Sequence, residues 1–205
     1  MNAVRVKICG LTRLEDALEA VRLGADALGF NFWPKSPRHC SPESAAGIIR
    51  ALPPFVATVG VFVNQGREEI EAAVECSGVG LIQLHGDEPP ELCVQLSRPV
   101  IKALRFSNPQ SLQRASRYEV AAFLIDSPSS EFGGSGKPFD WSLLRGLALA
   151  RPTILAGGLS AANVARAIEE VDPYGVDVAS GVESAPGIKD PQKMADFFAA
   201  TGRGA

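Results

Sequence analysis

The chain has 205 residues, of which 46% are hydrophobic and 21% are charged, and its formal net charge at pH 7 is -3. This composition is ordinary for a globular enzyme and predicts one domain over residues 1–205. The small negative charge argues against nucleic-acid or anionic-membrane partners, and the sequence shows neither a membrane-length apolar run nor a secretory signal pattern. A cytoplasmic protein is therefore expected.

Short β-branched segments alternate with amphipathic helical segments along the whole chain. Strands are predicted at residues 4–9, 25–31, 56–63, 79–84, 100–105, 121–125, 153–156 and 175–179. Helices are predicted at residues 14–23, 41–52, 67–76, 90–96, 140–148, 160–171 and 191–199, with a weaker helical pattern at residues 109–117. This order of elements predicts an α/β fold with a parallel sheet.

The number of strand–helix units, about eight by pattern counting, favours a single-domain (βα)8 TIM barrel. An open doubly wound sheet is the alternative. That fold usually carries G-x-G-x-x-G after its first strand, whereas residues 9–12 of this chain read C-G-L-T. The closed barrel is therefore the preferred prediction.

Cysteine and histidine usage argues against a metal site. The chain has 4 Cys and 2 His, with no C-x-x-C pair and no cysteine–histidine spacing that suits zinc. Reduced thiols are expected instead. The residues are Cys9, Cys40, Cys76, Cys93, His39 and His85.

Polar side chains stand at the carboxyl ends of several predicted strands, where the active site of a TIM barrel lies. Cys9 ends the first strand, Arg38 follows the second, and Asp126 follows the sixth. Gln83 and His85 come at the end of the fourth strand, two residues apart, so they should point the same way. A positioned carboxyl could act as an acid and an arginine fork suits a carboxylate or phosphate.

Each of these residues also has an ordinary structural explanation. Cys9 could be a small buried apolar side chain, and Arg38 could be a solvated surface residue. Asp126 could be a turn former or a helix cap. The residue types alone leave both interpretations open.

Glycines follow the last two predicted strands, at Gly157 and Gly158 and at Gly181 after Ser180. TIM barrels commonly bind phosphate at these two loops, where exposed backbone N–H groups face the anion. The alternative is that the glycines only form tight turns. The position of both signals favours a phosphate site.

Residues 127–138 are rich in Gly, Ser and Pro and are predicted to form a long active-site loop. The stretch G-G-S-G-K at residues 133–137 does not fit a P-loop, because Glu131 stands at the leading glycine position and Pro138 follows the lysine. A flexible lid hinged on glycines is the better interpretation.

Lys7 should point into the barrel together with Cys9, because residues two apart on a strand share a face. A buried ammonium needs a partner. The eighth strand lies beside the first in a closed barrel and carries Asp177. We therefore predict a Lys7–Asp177 ion pair beneath Cys9, which would raise the positive potential near the thiol or fix the strand register. A nearby Lys7 charge would lower the pKa of the thiol.

Several motifs together resemble the phosphoribosylanthranilate isomerase family, and the resemblance covers nearly the whole chain in order. They are V-K-I-C-G-L-T, G-F-N-F-W-P-K-S-P-R, V-G-V-F-V-N, Q-L-H-G-D-E, F-G-G-S-G-K-P-F-D-W, L-A-G-G-L and V-D-V-A-S-G-V-E-S-A-P-G-I-K-D. The resemblance implies an Amadori rearrangement of an aminoaldose phosphate in tryptophan biosynthesis. This reaction is an internal redox step that needs no cofactor or metal.

The resemblance also implies site roles. Cys9 would be the general base, Asp126 the general acid, and Arg38 the group that binds the anthranilate carboxylate. Gly157, Gly158, Ser180 and Gly181 would hold the phosphate, and His85 would lie near the substrate. After Arg38, this chain has His39 and Cys40 where many relatives of that family have less polar residues. This difference would affect the local shape of the anthranilate pocket. The partner is a phosphorylated small molecule, and the chain would be a monomer or a homodimer.

Three rival functions remain to be weighed against this resemblance. The parallel isomerase of histidine biosynthesis has an aspartate at the position of Cys9. A catalytically silent phosphometabolite-binding barrel would need neither Cys9 nor Asp126. A thiol nucleophile would want a histidine beside Cys9, for which only His85 is available.

Overall fold

The computed structural model describes residues 3–127, 140–144, 146 and 149–202. Eight parallel strands close into a barrel in sequence order, each pairing with the next and β8 pairing with β1. The predicted TIM barrel is confirmed. The strands are β1 (Arg5–Cys9), β2 (Ala27–Asn31), β3 (Ala57–Phe62), β4 (Leu81–Leu84), β5 (Val100–Arg105), β6 (Ala122–Asp126), β7 (Thr153–Leu155) and β8 (Gly175–Val178).

Helices connect the strands on the outside of the barrel. The α-helices are α1 (Leu14–Arg22), α2 (Pro42–Ile49), α3 (Arg67–Ser77), α4 (Pro90–Cys93), α5 (Val164–Val171) and α6 (Pro191–Ala200). Shorter 3₁₀ helices occupy Pro109–Arg117, Trp141–Leu144 and Ser180–Val182. No helix in this described part of the chain has both the length and the apolar character needed to cross a membrane.

The starts of two helices follow directly from local sequence. Ser41 caps α2 by accepting a hydrogen bond from the Ser44 N–H, and Asp190 caps α6 by accepting from the Gln192 and Lys193 N–H groups. Proline follows each cap as the first helical residue, where its missing N–H costs nothing.

Several predicted helices differ from the structure, among them 90–96, whose helix ends at Cys93, and 109–117, which forms a 3₁₀ helix. Residues 160–171 form a helix only from Val164, because the Asn163 side chain accepts from the Ser160 N–H and donates to the Gly158 carbonyl, which holds the preceding residues in a loop. Within the predicted helix 140–148, the described residues Trp141–Leu144 form a 3₁₀ helix. Nearly all of the predicted lid, residues 128–138, lies outside the described residues.

A short antiparallel hairpin after β8 was not predicted. It consists of β9 (Glu183–Ala185) and β10 (Ile188–Lys189), and it follows the 3₁₀ helix directly. Its turn contains Gly187 with φ +81°, a left-handed conformation that favours glycine. The hairpin folds the last strand–helix connection back over the mouth of the barrel.

The main hydrophobic core lies between the sheet and the surrounding helices and contains the large buried aromatic residues Phe30, Phe62, Phe123, Phe197 and Phe198. A smaller cluster fills the inside of the barrel with compact aliphatic side chains. Its buried members are Val59, Ile101, Ala103, Ala122, Leu124 and Ala156. The aliphatic filling closes the middle of the barrel and leaves the carboxyl ends of the strands for polar side chains.

Candidate active site

A cavity of about 280 Å³ opens at the carboxyl end of the barrel. Its lining brings together residues from β1, β2, β3, β4, β6 and β8 and from loops at the same end of the barrel, including the loop after β7. Among them are Cys9, Arg38, Gln83, His85, Asp126, Gly157, Gly158, Asp177 and Ser180. Of the predicted site residues, only Gly181 is not in this lining; it lies one position beyond Ser180 in the same loop.

The Cys9 thiol stands above a buried ion pair. The Lys7 Nζ lies 2.8 Å from Asp177 Oδ1, and the two side chains are only 4% and 8% exposed. The predicted pair is confirmed, since barrel closure places Lys7 directly opposite Asp177 in the β1–β8 register. Gly29 on β2 provides the room, because a Cβ atom there would lie 2.8 Å from the Cys9 sulfur and 3.1 Å from the Lys7 Nζ.

Burial raises the pKa of the Cys9 thiol above its ordinary value, and the Lys7 charge offsets only part of that increase. The expected lowering by Lys7 is present, but burial outweighs it, because loss of hydration disfavours the thiolate more than the ammonium favours it. Burial also opposes the charge on Lys7, but attraction to Asp177 and Cys9 outweighs it, so the pKa of Lys7 is raised. Lys7 is a permanent cation beside a mostly protonated thiol.

Substitution of the two charged neighbours should move the pKa of Cys9 in opposite directions. Lys7→Met removes the nearest positive charge and should raise that pKa, whereas Asp177→Asn removes a negative charge and should lower it. The rate of Cys9 alkylation by iodoacetamide, followed by mass spectrometry across a pH series, measures both shifts. Exposed Cys76 serves as the internal control. Shifts of the same sign in both variants would contradict this account of Cys9.

Asp126 ends β6 and is held by two contacts. Its Oδ1 accepts from the Ser127 N–H at 2.7 Å, and its Oδ2 lies 3.0 Å from His85 Nε2. The distance between Nε2 and Oδ2 is that of a hydrogen bond, which joins the imidazole of His85 directly to the Asp126 carboxyl.

The orientation of His85 depends on Gln83. The Gln83 side-chain amide lies 2.9 Å from His85 Nδ1, and the predicted common direction of the two side chains is confirmed. Gln83 Oε1 is buried and has no hydrogen-bond partner among the described residues. The amide–imidazole contact fixes the ring so that Nε2 faces Asp126.

Arg38 reaches the pocket mouth from the loop after β2 and meets a carboxylate that sequence reasoning missed. Its Nε lies 2.9 Å from Glu183 Oε1, and its Nη2 lies 2.8 Å from Glu183 Oε2. Lys189 Nζ lies 2.8 Å from the same carboxylate and also donates to the Cys9 carbonyl at 2.5 Å. The unpredicted hairpin thus connects Arg38 to the end of β1.

The glycine loops after β7 and β8 approach each other closely. Gly157 and Gly158 adopt φ values of +86° and +68°, which favour glycine. A Cβ atom on Gly157 would lie 2.5 Å from the Ser127 nitrogen, and one on Gly181 would overlap the Leu159 carbonyl. Only glycine fits at both positions, so backbone groups rather than side chains border this end of the cavity.

A further buried ion pair lies between the sheet and the surrounding helices. Lys102 Nζ is 2.7 Å from Glu88 Oε2, and the two side chains are 1% and 2% exposed. The Glu88 carboxylate also accepts from the Asn64 and Gly86 N–H groups. The pair shapes the loop after His85, although neither Glu88 nor Lys102 lines the cavity.

A family model and curated relatives match nearly the whole chain. The family model for N-(5'phosphoribosyl)anthranilate (PRA) isomerase matches residues 6–200. The N-(5'-phosphoribosyl)anthranilate isomerase of Pelobacter propionicus is 52% identical over 197 residues, which cover 95% of this chain and 94% of that protein.

Two solved structures extend the similarity to the fold. Phosphoribosyl anthranilate isomerase in complex with reduced 1-(o-carboxyphenylamino)-1-deoxyribulose 5-phosphate is 45% identical, with a TM-score of 0.86 over 97% of this chain and 98% of that chain. Monomers generated from the dimeric phosphoribosylanthranilate isomerase of Thermotoga maritima are 43% identical, with a TM-score of 0.86 and the same coverage of 97% and 98%.

Proposed function

This chain belongs to the N-(5'-phosphoribosyl)anthranilate isomerase family, and we propose that Cys9 and Asp126 are the base and the acid of its reaction. The enzyme is an aldose–ketose isomerase of tryptophan biosynthesis. It converts N-(5'-phosphoribosyl)anthranilate into 1-(2-carboxyphenylamino)-1-deoxyribulose 5-phosphate. The observation that supports the assignment is that one cavity is lined by a thiol, a carboxyl, an arginine and two glycine loops.

The rearrangement requires one proton donor and one proton acceptor. Protonation of the furanose ring oxygen opens the ring and gives a Schiff base between C1 and the anthranilate nitrogen. Removal of the proton from C2 then gives an enolamine, which relaxes to the aminoketone. The two steps need groups on the same sugar with opposite tasks, which is the usual division of labour in acid–base catalysis.

Asp126 is suited to the first step because its Oδ2 lies within hydrogen-bond distance of His85 Nε2, a group that can pass protons. His85 is the residue that can return a proton to Asp126, and Gln83 holds the imidazole in that orientation. The contact of Asp126 Oδ1 with the Ser127 N–H leaves the carboxyl fixed at the end of β6. In this proposal Asp126 is the acid and the adjacent His85 is the source of its proton.

Cys9 is suited to the second step as its thiolate. Since burial raises the pKa of the thiol, only a small fraction is ionised at neutral pH, and Lys7 keeps that fraction from being smaller. The value of kcat/KM should accordingly increase with pH through the neutral and alkaline range. A base that is a free thiol also needs a reducing compartment, so we propose a cytoplasmic location.

Arg38 and the two glycine loops border the pocket at separate places and suit the two anionic ends of the substrate. The guanidinium of Arg38 matches the anthranilate carboxylate. The backbone N–H groups of Gly157, Gly158, Ser180 and Gly181 suit the phosphate, since these loops carry the phosphate site in many TIM barrels. Binding at both ends would hold the sugar between Cys9 and Asp126.

The decay of the fluorescence of enzymatically generated N-(5'-phosphoribosyl)anthranilate tests the activity directly. Addition of the protein should accelerate the loss of the anthranilate fluorescence, and chromatography should show the aminoketose phosphate as the product. Absence of acceleration, or release of free anthranilate in place of the isomer, would contradict the proposed chemistry.

We further propose that the chain forms a homodimer. The related Thermotoga maritima enzyme is described as dimeric, and in the described part of this chain the aromatic side chain of Phe55, between α2 and β3, is fully exposed. Exposed large apolar groups of this kind mark association surfaces when they cluster on one face. Two prolines, Pro53 and Pro54, precede Phe55 and stiffen its loop.

Phe55→Glu should convert the dimer into a monomer, because a carboxylate in an apolar contact loses its hydration without a partner. Sedimentation velocity at several protein concentrations measures the change. Val94→Glu, at another exposed apolar position, is the matched control and should leave the dimer intact. A wild-type monomer, or a Phe55→Glu dimer of unchanged affinity, would exclude this contact.

A further inference from the structure

We propose that Glu183 is the positioning residue that directs Arg38 toward the carboxylate of the substrate and thereby makes the enzyme select carboxylated arylamines. The inference rests on the proposed role of Arg38. It concerns a residue that the reaction itself does not require, since Glu183 need not touch the reacting atoms.

Three residues, Arg38, Lys189 and Gly187, donate hydrogen bonds to Glu183. Both of its oxygens accept from Arg38, at 2.9 and 3.1 Å from Nε and at 2.8 Å from Nη2. Lys189 Nζ lies 2.8 Å from Oε1, and the Gly187 N–H donates to the same oxygen at 3.2 Å. The Glu183 side chain is 5% exposed, whereas that of Arg38 is 23% exposed. A buried carboxylate therefore holds a partly exposed guanidinium.

The pairing decides which edge of the guanidinium is available. Glu183 occupies the side of the fork formed by Nε and one Nη2 proton. Among the hydrogen bonds of the described residues, that leaves the opposite edge, formed by Nη1 and the second Nη2 proton, as a parallel pair of donors. A pair of this kind binds a carboxylate through two hydrogen bonds in one plane. Glu183 thus fixes the plane in which a ligand carboxylate must lie.

Lys189 favours the charged form of Glu183 and connects Glu183 to the ends of the neighbouring strands. Burial opposes the charge on Glu183, but the hydrogen bonds from Arg38 and the attraction of Lys189 outweigh it and hold the pKa of Glu183 below its ordinary value. Lys189 also donates to the carbonyls of Cys9 and Ala179, which end β1 and follow β8. The net charge of Arg38, Glu183 and Lys189 is +1, so the cluster still attracts an anion.

The same contacts could in principle serve only to hold the hairpin. The two roles differ in one measurable respect. If Glu183 acts through the plane of Arg38, its loss weakens only ligands that carry the carboxylate. If it only supports the hairpin, its loss weakens carboxylated and uncarboxylated ligands equally.

The test uses two non-reacting ligands that differ in one group, N-(2-carboxyphenyl)- and N-phenyl-1-amino-1-deoxyribitol 5-phosphate. Calorimetric titration gives the preference of each enzyme for the carboxylated ligand. We expect Glu183→Gln to reduce this preference at least ~10-fold, the scale of a charge-assisted pair, and to change the Kd of the phenyl ligand less than ~2-fold. In Arg38→Met, the further change Glu183→Gln should have no effect on the preference.

Two additional variants keep the test decisive. Glu88→Gln neutralises another buried, lysine-paired carboxylate outside the cavity and should leave the preference unchanged. Arg38→Lys lacks the guanidinium fork and should lose the preference for the carboxylated ligand although Glu183 is intact. This variant tests the role of the fork even if the Glu183→Gln chain does not fold.

Equal weakening of both ligands in Glu183→Gln would overturn the proposal. The proposal would also be overturned if Glu183→Gln still reduced the preference for the carboxylated ligand in a chain that already carries Arg38→Met. A wild type without preference for the carboxylated ligand would overturn it as well, through the role of Arg38. None of these binding results depends on turnover, so a failure of the isomerase assay remains a separate outcome.

Discussion

Cys9→Ser should lower kcat by at least ~100-fold, the size expected for loss of a general base, with little change in KM. A serine hydroxyl has nearly the shape of the thiol but a much higher pKa, so it provides almost no anion to remove the proton from C2. The fluorescence assay measures the loss. Because burial raises the pKa of the Cys9 thiol, the proposed mechanism expects activity to depend on a small thiolate fraction.

A matched substitution separates the chemistry of Cys9 from a general effect of thiol loss. Cys76→Ser changes an exposed cysteine on α3, remote from the cavity lining, and should retain wild-type turnover. Circular dichroism melts should show Cys9→Ser folded. Wild-type turnover in Cys9→Ser would remove Cys9 from the mechanism, and a stable covalent adduct with substrate would make it a nucleophile rather than a base.

Asp126→Asn should also lower kcat by at least ~100-fold, because an amide cannot deliver a proton to the ring oxygen. The amide oxygen can still accept from the Ser127 N–H, so the local structure should persist. Asp172→Asn is the matched control, since Asp172 lies at the opposite end of the barrel in a left-handed conformation that asparagine also adopts.

A hydrogen isotope effect distinguishes the two catalytic variants. With deuterium at C2 of the ribose, Cys9→Ser should show a full primary effect, because proton abstraction becomes rate-limiting. Asp126→Asn should show an effect close to unity, because ring opening is then slow. Interchanged isotope effects would reverse the assignment of acid and base.

The barrel could be predicted because each strand lies in a short apolar run that alternates with a helical pattern. The Lys7–Asp177 pair could be predicted for the same reason, since closure of eight strands places the last beside the first. Cys9 and Asp126 were located by their position at strand ends, although their proposed roles depended on the resemblance to a family.

Features that depend on tertiary environment could not be predicted. Glu183 and Arg38 are 145 positions apart, and the segment that joins Glu183 to Lys189 resembles a solvated turn. The direction of the pKa shift of Cys9 depends on the balance between burial and a neighbouring charge, and sequence shows only the charge. Gly29 likewise gave no signal, since its importance lies in the two side chains opposite it.

The short span from Ser180 to Glu183 has a geometric consequence. In the proposed binding mode, Ser180 contacts the phosphate, and Glu183, at the end of the same 3₁₀ turn, sets the position of Arg38. In that binding mode, the separation between the two anionic ends of the substrate depends on one short segment of backbone, Ser180–Glu183. The enzyme should therefore bind substrates with one distance between phosphate and carboxylate. An added or deleted residue in this segment should change the length of sugar that fits.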